Sequence, residues 1–213
     1  MNLQRFVVGA FEENSWLLVD ERASAAVLID PGDEGDTLLS AVDRSGAMLE
    51  AIWLTHAHVD HIGAIAAVRR RHAVPIFLHP DDRPVYDLGA RIAEMYGLPF
   101  ESPPPPDRAL ADGDDLSVGT LRFRVMHAPG HAPGHVVIHG EGIAFTGDCL
   151  FAGTIGRTDL PLASGEQLAV SLDRIMTLDD ATIVYPGHGA STTIGEERLG
   201  NPFLNGSARV RGG

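Results

Sequence analysis

The chain has 213 residues, 44% hydrophobic and 21% charged, which suits a globular fold and excludes disordered, collagen-like and coiled-coil classes. Its net charge of −13 disfavours nucleic-acid phosphates, and all 16 basic residues are arginines, which excludes Schiff-base and phosphate-loop lysines. The single cysteine, Cys149, cannot form an internal disulfide. Met1 to Gly9 lack the features of a signal peptide and no apolar run reaches membrane-spanning length, so a cytoplasmic protein with neither membrane nor nucleic-acid partner is expected.

The length suits one domain over residues 1–213. Short strands are predicted at Phe6 to Val8, Trp16 to Val19 and Ala25 to Ile29, the last stopping at the turn Asp30-Pro31-Gly32. Thr37 to Asp43 has helical spacing and ends near Gly46, and Ala51 to Leu54 reads as a buried strand. Ile62, Ile65, Ala66 and Val68 mark one face of a helix that ends in Arg69-Arg70-Arg71, cations at the favourable end of the helix dipole. Pro75 to Leu78 is a further strand, Arg83 to Tyr96 a helix, and Pro103 to Pro106 a rigid polyproline-like connection. Strands follow at Leu121 to Met126, Val136 to Ile138 and Ile143 to Phe145. Ser164 to Gln167 fits a capping box for a helix running through Met176, and Ile183 to Tyr185 is the last strand. Each half therefore reads as strands and then helices, the pattern of two packed sheets with helices outside.

Between the fourth strand and the next helix lies Thr55-His56-Ala57-His58-Val59-Asp60-His61. His56 and His58, two apart on extended chain, project to one side and can share a metal ion, while Asp60 and His61 begin the next turn and suit a second. Imidazole and carboxylate are ligands that zinc, iron and manganese accept. Three more candidates, His131, Asp148 and His188, each sit beside a glycine after a predicted strand. Asp30 fits a supporting partner for a ligand histidine. His135 reads as packing near the site, His79 as pocket-lining or surface, and His72, His127 and His139 as structural; the Cys149 thiol reads as buried rather than nucleophilic.

With these motifs the chain resembles the metallo-β-lactamase superfamily, and within it the short glyoxalase II-like (hydroxyacylglutathione hydrolase-like) branch. The resemblance runs from Asn14-Ser15-Trp16 through the histidine motif and Pro129-Gly130-His131-Ala132-Pro133-Gly134-His135. It continues through Gly147-Asp148-Cys149 to Pro161, Tyr185-Pro186-Gly187-His188-Gly189 and Thr193 to Glu197. It implies a four-layer αββα sandwich of two mixed β-sheets flanked by helices. It also implies two divalent ions, zinc first and iron or manganese next: His56, His58 and His131 on one, Asp60, His61 and His188 on the other, and Asp148 bridging both. Asp60 and Asp148 would then be catalytic, and a hydroxide shared by the ions would cleave a small-molecule thioester of the S-lactoylglutathione type. Longer glyoxalase II proteins add a C-terminal helical extension with basic residues for glutathione, whereas this chain runs 25 residues past His188 and has no lysine. Arg157, in Ile155-Gly156-Arg157-Thr158-Asp159, is a candidate for a substrate carboxylate, with an internal ion pair to a nearby aspartate as the other reading. Alternatives are a mononuclear iron persulfide dioxygenase using His56, His131 and Asp148, and a hydrolase of another ester or lactone; a homodimer is compatible with either.

Overall fold

In the computed structural model, which describes residues 1–208, β1 (Asn2–Val8), β2 (Glu13–Asp20) and β3 (Ala25–Ile29) pair antiparallel in succession. Helix α1 (Gly35–Ser45) crosses to β4 (Met48–Trp53), which runs parallel to β3. Helices α2 (Val59–Ile62) and α3 (Ile65–Arg71) precede β5 (Ile76–Leu78), parallel to β4. A 3-10 turn at Pro80–Asp82, α4 (Arg83–Asp87) and α5 (Gly89–Tyr96) lead to the short edge strand β6 (Arg108–Ala109), and the six strands form one sheet in chain order.

The second sheet starts as an antiparallel meander of β7 (Asp115–Val118), β8 (Leu121–His127), β9 (Val136–Gly140) and β10 (Ile143–Gly147). A small hairpin, β11 (Leu150–Phe151) and β12 (Thr154–Ile155), follows, and then α6 (Gly165–Ile175) crosses to β13 (Ile183–Pro186), parallel to β10. Strand β14 (Thr192–Thr193) completes the order β14-β13-β10-β9-β8-β7, and α7 (Ile194–Gly200) packs after it.

The period-two direction of side chains on a strand sorts these sequences into three apolar layers. Leu17, Val19, Ala26, Leu28 and Ile52 face Ala41, Val42, Ile65 and Val68 of the helices on one side. Trp16, Leu18, Val27, Ile29 and Trp53 point the other way, against Phe123, Val125, Val136, Ile138 and Phe145 of the second sheet. That sheet's outer face, with Met126, Val137, Ala144 and Val184, packs on Leu168, Leu172 and Ile175 of α6. The sandwich is therefore αββα, and a strand such as β3, buried along its whole length, is apolar on both faces because both are covered.

Several boundaries differ from expectation. The helix predicted over 83–96 breaks at Leu88 into α4 and α5, and the helix after His61 breaks at Gly63-Ala64. Ser164 caps α6 by accepting the Gln167 N–H at 3.3 Å, while the full reciprocal capping box lies at Thr193 and Glu196, opening a helix that periodicity did not reveal. Among the described residues no helix is long and apolar enough to cross a membrane.

Candidate metal centre

Strands β3 and β4 of one sheet and β8, β10 and β13 of the other release their C-terminal ends at one edge of the sandwich, and the chemistry-bearing side chains sit on the loops that begin there. Cross-sheet bonds pin this edge. Val136 N–H donates to the Thr55 carbonyl at 2.8 Å, Asn14 N–H donates to the Gly187 carbonyl at 2.7 Å, and Glu13 bridges to His188.

Two groups of side chains result, His56 with His58 and His131, and Asp60 with His61 and His188; within each, the ligand-capable atoms lie within 4.8 Å of one another. Asp148 stands between them, Oδ1 3.5 Å from His61 Nε2, and Oδ2 3.4 Å from His131 Nε2 and 3.6 Å from His188 Nε2. His188 Nε2 is also 3.3 Å from Asp60 Oδ2. His58 Nδ1 and His131 Nε2 are 2.9 Å apart, close to the roughly 3.3 Å that separates two nitrogens bound tetrahedrally to one ion at 2.0–2.1 Å. The structure thus brings together all seven side chains that the motifs singled out.

The far side of each ring explains which nitrogen faces inward. His61 Nδ1–H donates to Asp30 Oδ2 at 3.1 Å, His131 Nδ1–H to the Arg157 carbonyl at 2.9 Å, and His188 Nδ1–H to the Phe11 carbonyl at 3.0 Å. The Thr55 hydroxyl gives its proton to Asp30 Oδ2 at 2.6 Å, so the Nδ1–H of His56, 3.1 Å away, donates to Oγ1. With Nδ1 protons fixed outward, these four imidazoles present Nε2 lone pairs to the centre, the orientation that supported metal ligands adopt. Nε2 of His56, Nε2 of His61 and Oδ1 of Asp148 are buried without a hydrogen-bond partner. Such orphaned atoms are costly unless an ion satisfies them, so the donor set fits divalent metal.

Charge agrees with that fit. Burial disfavours a proton on His61, yet Asp148 and Asp60 outweigh it and push the imidazole well above the ordinary histidine range, marking where positive charge is favoured. Asp148 is held well below the usual carboxylate range by His61, His131 and His188 despite its burial. Burial, with His61 and His58 adding to it, keeps His56 neutral.

Close approach is secured by glycine. A Cβ on Gly187 would lie 2.2 Å from Asp148 Oδ1, and one on Gly156 would lie 1.8 Å from the Asp148 carbonyl oxygen. Asp82, which no motif flagged, ties the two histidine loops together, its carboxylate accepting N–H from Ala57 at 2.7 Å and from Gly134 at 2.6 Å. Glu13, also unflagged, is buried behind His61, with Oε1 3.7 Å from Nδ1. Its place at the start of a strand gave no signal.

His135 points away from the metal groups. Its Nε2 accepts the Asp148 N–H at 3.0 Å, so the proton sits on Nδ1, 3.3 Å from the buried Cys149 sulfur, whose own proton goes to the Ala128 carbonyl. Arg157 lies on an exposed loop and grips Asp159 through Nε and Nη2 at 2.6 and 2.9 Å.

The family profile described as the metallo-beta-lactamase superfamily matches residues 8–188. The hydroxyacylglutathione hydrolase GloC of Haemophilus influenzae is 38% identical, over 96% of this chain and 99% of its own. Among solved structures, the B3 metallo-beta-lactamase BLEG-1 has 37% identity and a TM-score of 0.88, covering 95% of this chain and 99% of its own. A protein solved in a di-iron-bound form has 41% identity and a TM-score of 0.87, over 94% and 100%. ETHE1 from Myxococcus xanthus has 30% identity and a TM-score of 0.83, over 97% and 85%.

Proposed function

The chain belongs to the metallo-beta-lactamase superfamily, and from that premise we propose that it is a binuclear metal-dependent hydrolase cleaving small thioesters of the hydroxyacylglutathione type. The observation that carries this reading is the pair of three-residue groups with Asp148 between them, four of the five imidazoles turned inward by an acceptor behind them. His56, His58 and His131 would hold one ion, Asp60, His61 and His188 the other, and Asp148 both. Divalent ions held there would supply a nucleophile at neutral pH and polarise an acyl carbonyl. The likeness to GloC supports the thioester, and the likeness to a di-iron protein supports two ions with iron as a candidate beside zinc.

The residues divide the remaining work. Asp60 adjoins a narrow, mainly apolar cleft with Phe11, Val59, Leu98 and Phe100, which suits a short acyl chain. Its carboxylate, with Oδ2 3.3 Å from His188 Nε2, would be the acceptor for a proton released in the reaction. Asp148, anchored through its backbone by His135, keeps the two groups in register. Arg157, held by Asp159 on an exposed loop, is the candidate for a substrate carboxylate, which would compete with Asp159 for the guanidinium.

Metal analysis of protein purified without chelator, paired with hydrolysis of S-lactoylglutathione, tests the reading. Two equivalents of metal and thioester cleavage far above background are expected; two equivalents without cleavage would remove the substrate assignment. The likeness to ETHE1 favours a second reading, the mononuclear iron persulfide dioxygenase on His56, His131 and Asp148. One equivalent of iron, with oxygen uptake on glutathione persulfide, would put it first.

A further inference from the structure

Outside the central cluster the structure gathers His79, Asp81 and His127, whose ligand-capable atoms lie within 4.8 Å of one another. His79 directly follows β5 in the first sheet, and His127 ends β8 in the second. Their rings stack with centroids 4.0 Å apart and planes within 6° of parallel. Two features leave these rings able to bind. The Nε2–H of His127 is donated to the Pro133 carbonyl at 3.1 Å, which fixes the tautomer and leaves a lone pair on Nδ1. His79 is 8% exposed and receives at Nδ1 a long 3.3 Å contact from the Asp81 N–H. The Asp81 carboxylate, 62% exposed and open to solvent, stands 3.8 Å from that nitrogen.

We propose that His79, Asp81 and His127 form a further site for a borderline divalent ion such as zinc, separate from the central groups. Two imidazoles and one carboxylate are a ligand set zinc accepts, and three protein ligands leave a position for solvent. Binding tilts the two rings out of parallel so that both lone pairs converge, a motion open to the half-buried His127 and the exposed Asp81. Nearby Asp112 adds negative charge while it is held by Arg174 and by the His127 backbone N–H.

The position gives such an ion leverage on the centre. Asp81 immediately precedes Asp82, which ties Ala57 to Gly134, and His127 grips the carbonyl of Pro133, two residues past His131. An ion here would clamp the struts of both histidine loops without touching the proposed catalytic groups.

Equilibrium dialysis of metal-loaded protein against buffered free zinc, followed by elemental analysis, tests the site. Wild type is expected to take up one equivalent more than His127→Gln and one more than Asp81→Asn, at zinc levels where all three saturate their centres. Equal uptake by wild type and both variants overturns the site. Nickel(II) gives an independent reading by NMR: it should broaden the His79 and His127 ring protons first in wild type, and broadening confined to other histidines overturns the proposal. Asp81→Asn, an exposed isosteric change, keeps the comparison valid should His127→Gln fold poorly.

Discussion

Asp30 holds His61 from behind, its Oδ2 3.1 Å from the imidazole Nδ1, while its Oδ1 takes the Thr55 N–H at 2.7 Å. One carboxylate thereby aims His61 and, through the Thr55 hydroxyl, His56. Asp30 does this from a left-handed backbone conformation, φ +48°, which aspartate and asparagine tolerate better than most residues. Asp30→Asn keeps that backbone but supplies one oxygen where three donors converge. Metal affinity, measured by competition with a chromophoric chelator, should fall about 10- to 100-fold. Unchanged affinity would mean that packing alone orients the rings.

Gly187→Ala should disable the centre while leaving the sandwich intact. The added methyl would sit 2.2 Å from Asp148 Oδ1 and 2.8 Å from His61 Cε1, so Asp148 must move. At least one equivalent of metal should be lost, with the far-UV circular dichroism preserved. Full metal content in this variant would contradict the tight approach of the Gly187 loop.

Most of what positions these groups was legible in the sequence for physical reasons. Ligand residues clustered at a strand exit, and a glycine beside each of His131, Asp148 and His188, are local patterns, and the succession of strands and then helices in each half announced two packed sheets with helices outside. Asp82 and Glu13 were not legible because their roles depend on long-range contacts, to Gly134 and Ala57 for one and to His61 for the other. The α4–α5 break and the stacking of His79 on His127 belong to the same class, since nothing in the flanking sequence specifies them.

Asp82 should leave a signature in stability against pH. Its carboxyl is fully buried, and burial pushes it up to about 6, against about 3.9 in an unfolded chain. Between those values the folded state keeps a proton that the unfolded state has released, so stability falls as pH rises from about 4 to about 6 and is flat in this respect above. The contribution is on the order of 2 to 3 kcal/mol. In Asp82→Asn that slope should vanish, so the stability difference between wild type and variant in urea unfolding of chelator-treated protein should shrink from pH 4.5 to pH 7.5. Parallel profiles would show that Asp82 ionises at its ordinary value.

Arg157→Ala separates the two roles open to this residue. Its ion pair with Asp159 joins side chains that are 60% and 69% exposed, and such pairs contribute about 0 to 1 kcal/mol. The contact that holds His131 comes from the Arg157 backbone carbonyl and survives the substitution. Stability and kcat should therefore change little, and KM by less than about threefold if Asp159 alone uses the guanidinium. A tenfold rise in KM, about 1.4 kcal/mol of lost substrate binding, would place Arg157 on the substrate.

Metal removal should destabilise the fold as a whole. His56 Nε2, His61 Nε2 and Asp148 Oδ1 are buried without a hydrogen bond, and Asp60 and Asp148 lie close enough to repel once no cation stands between them. An ion that binds only the folded chain stabilises it by about 4 kcal/mol at a thousand times its dissociation constant. Chelator treatment should thus lower Tm by several degrees, and restoring zinc should recover it. Because the link runs through mass action, Tm should rise with the logarithm of free metal until the centre saturates. A Tm indifferent to free metal would show that the clustered histidines are satisfied by one another, and the metal assignment would fall with it.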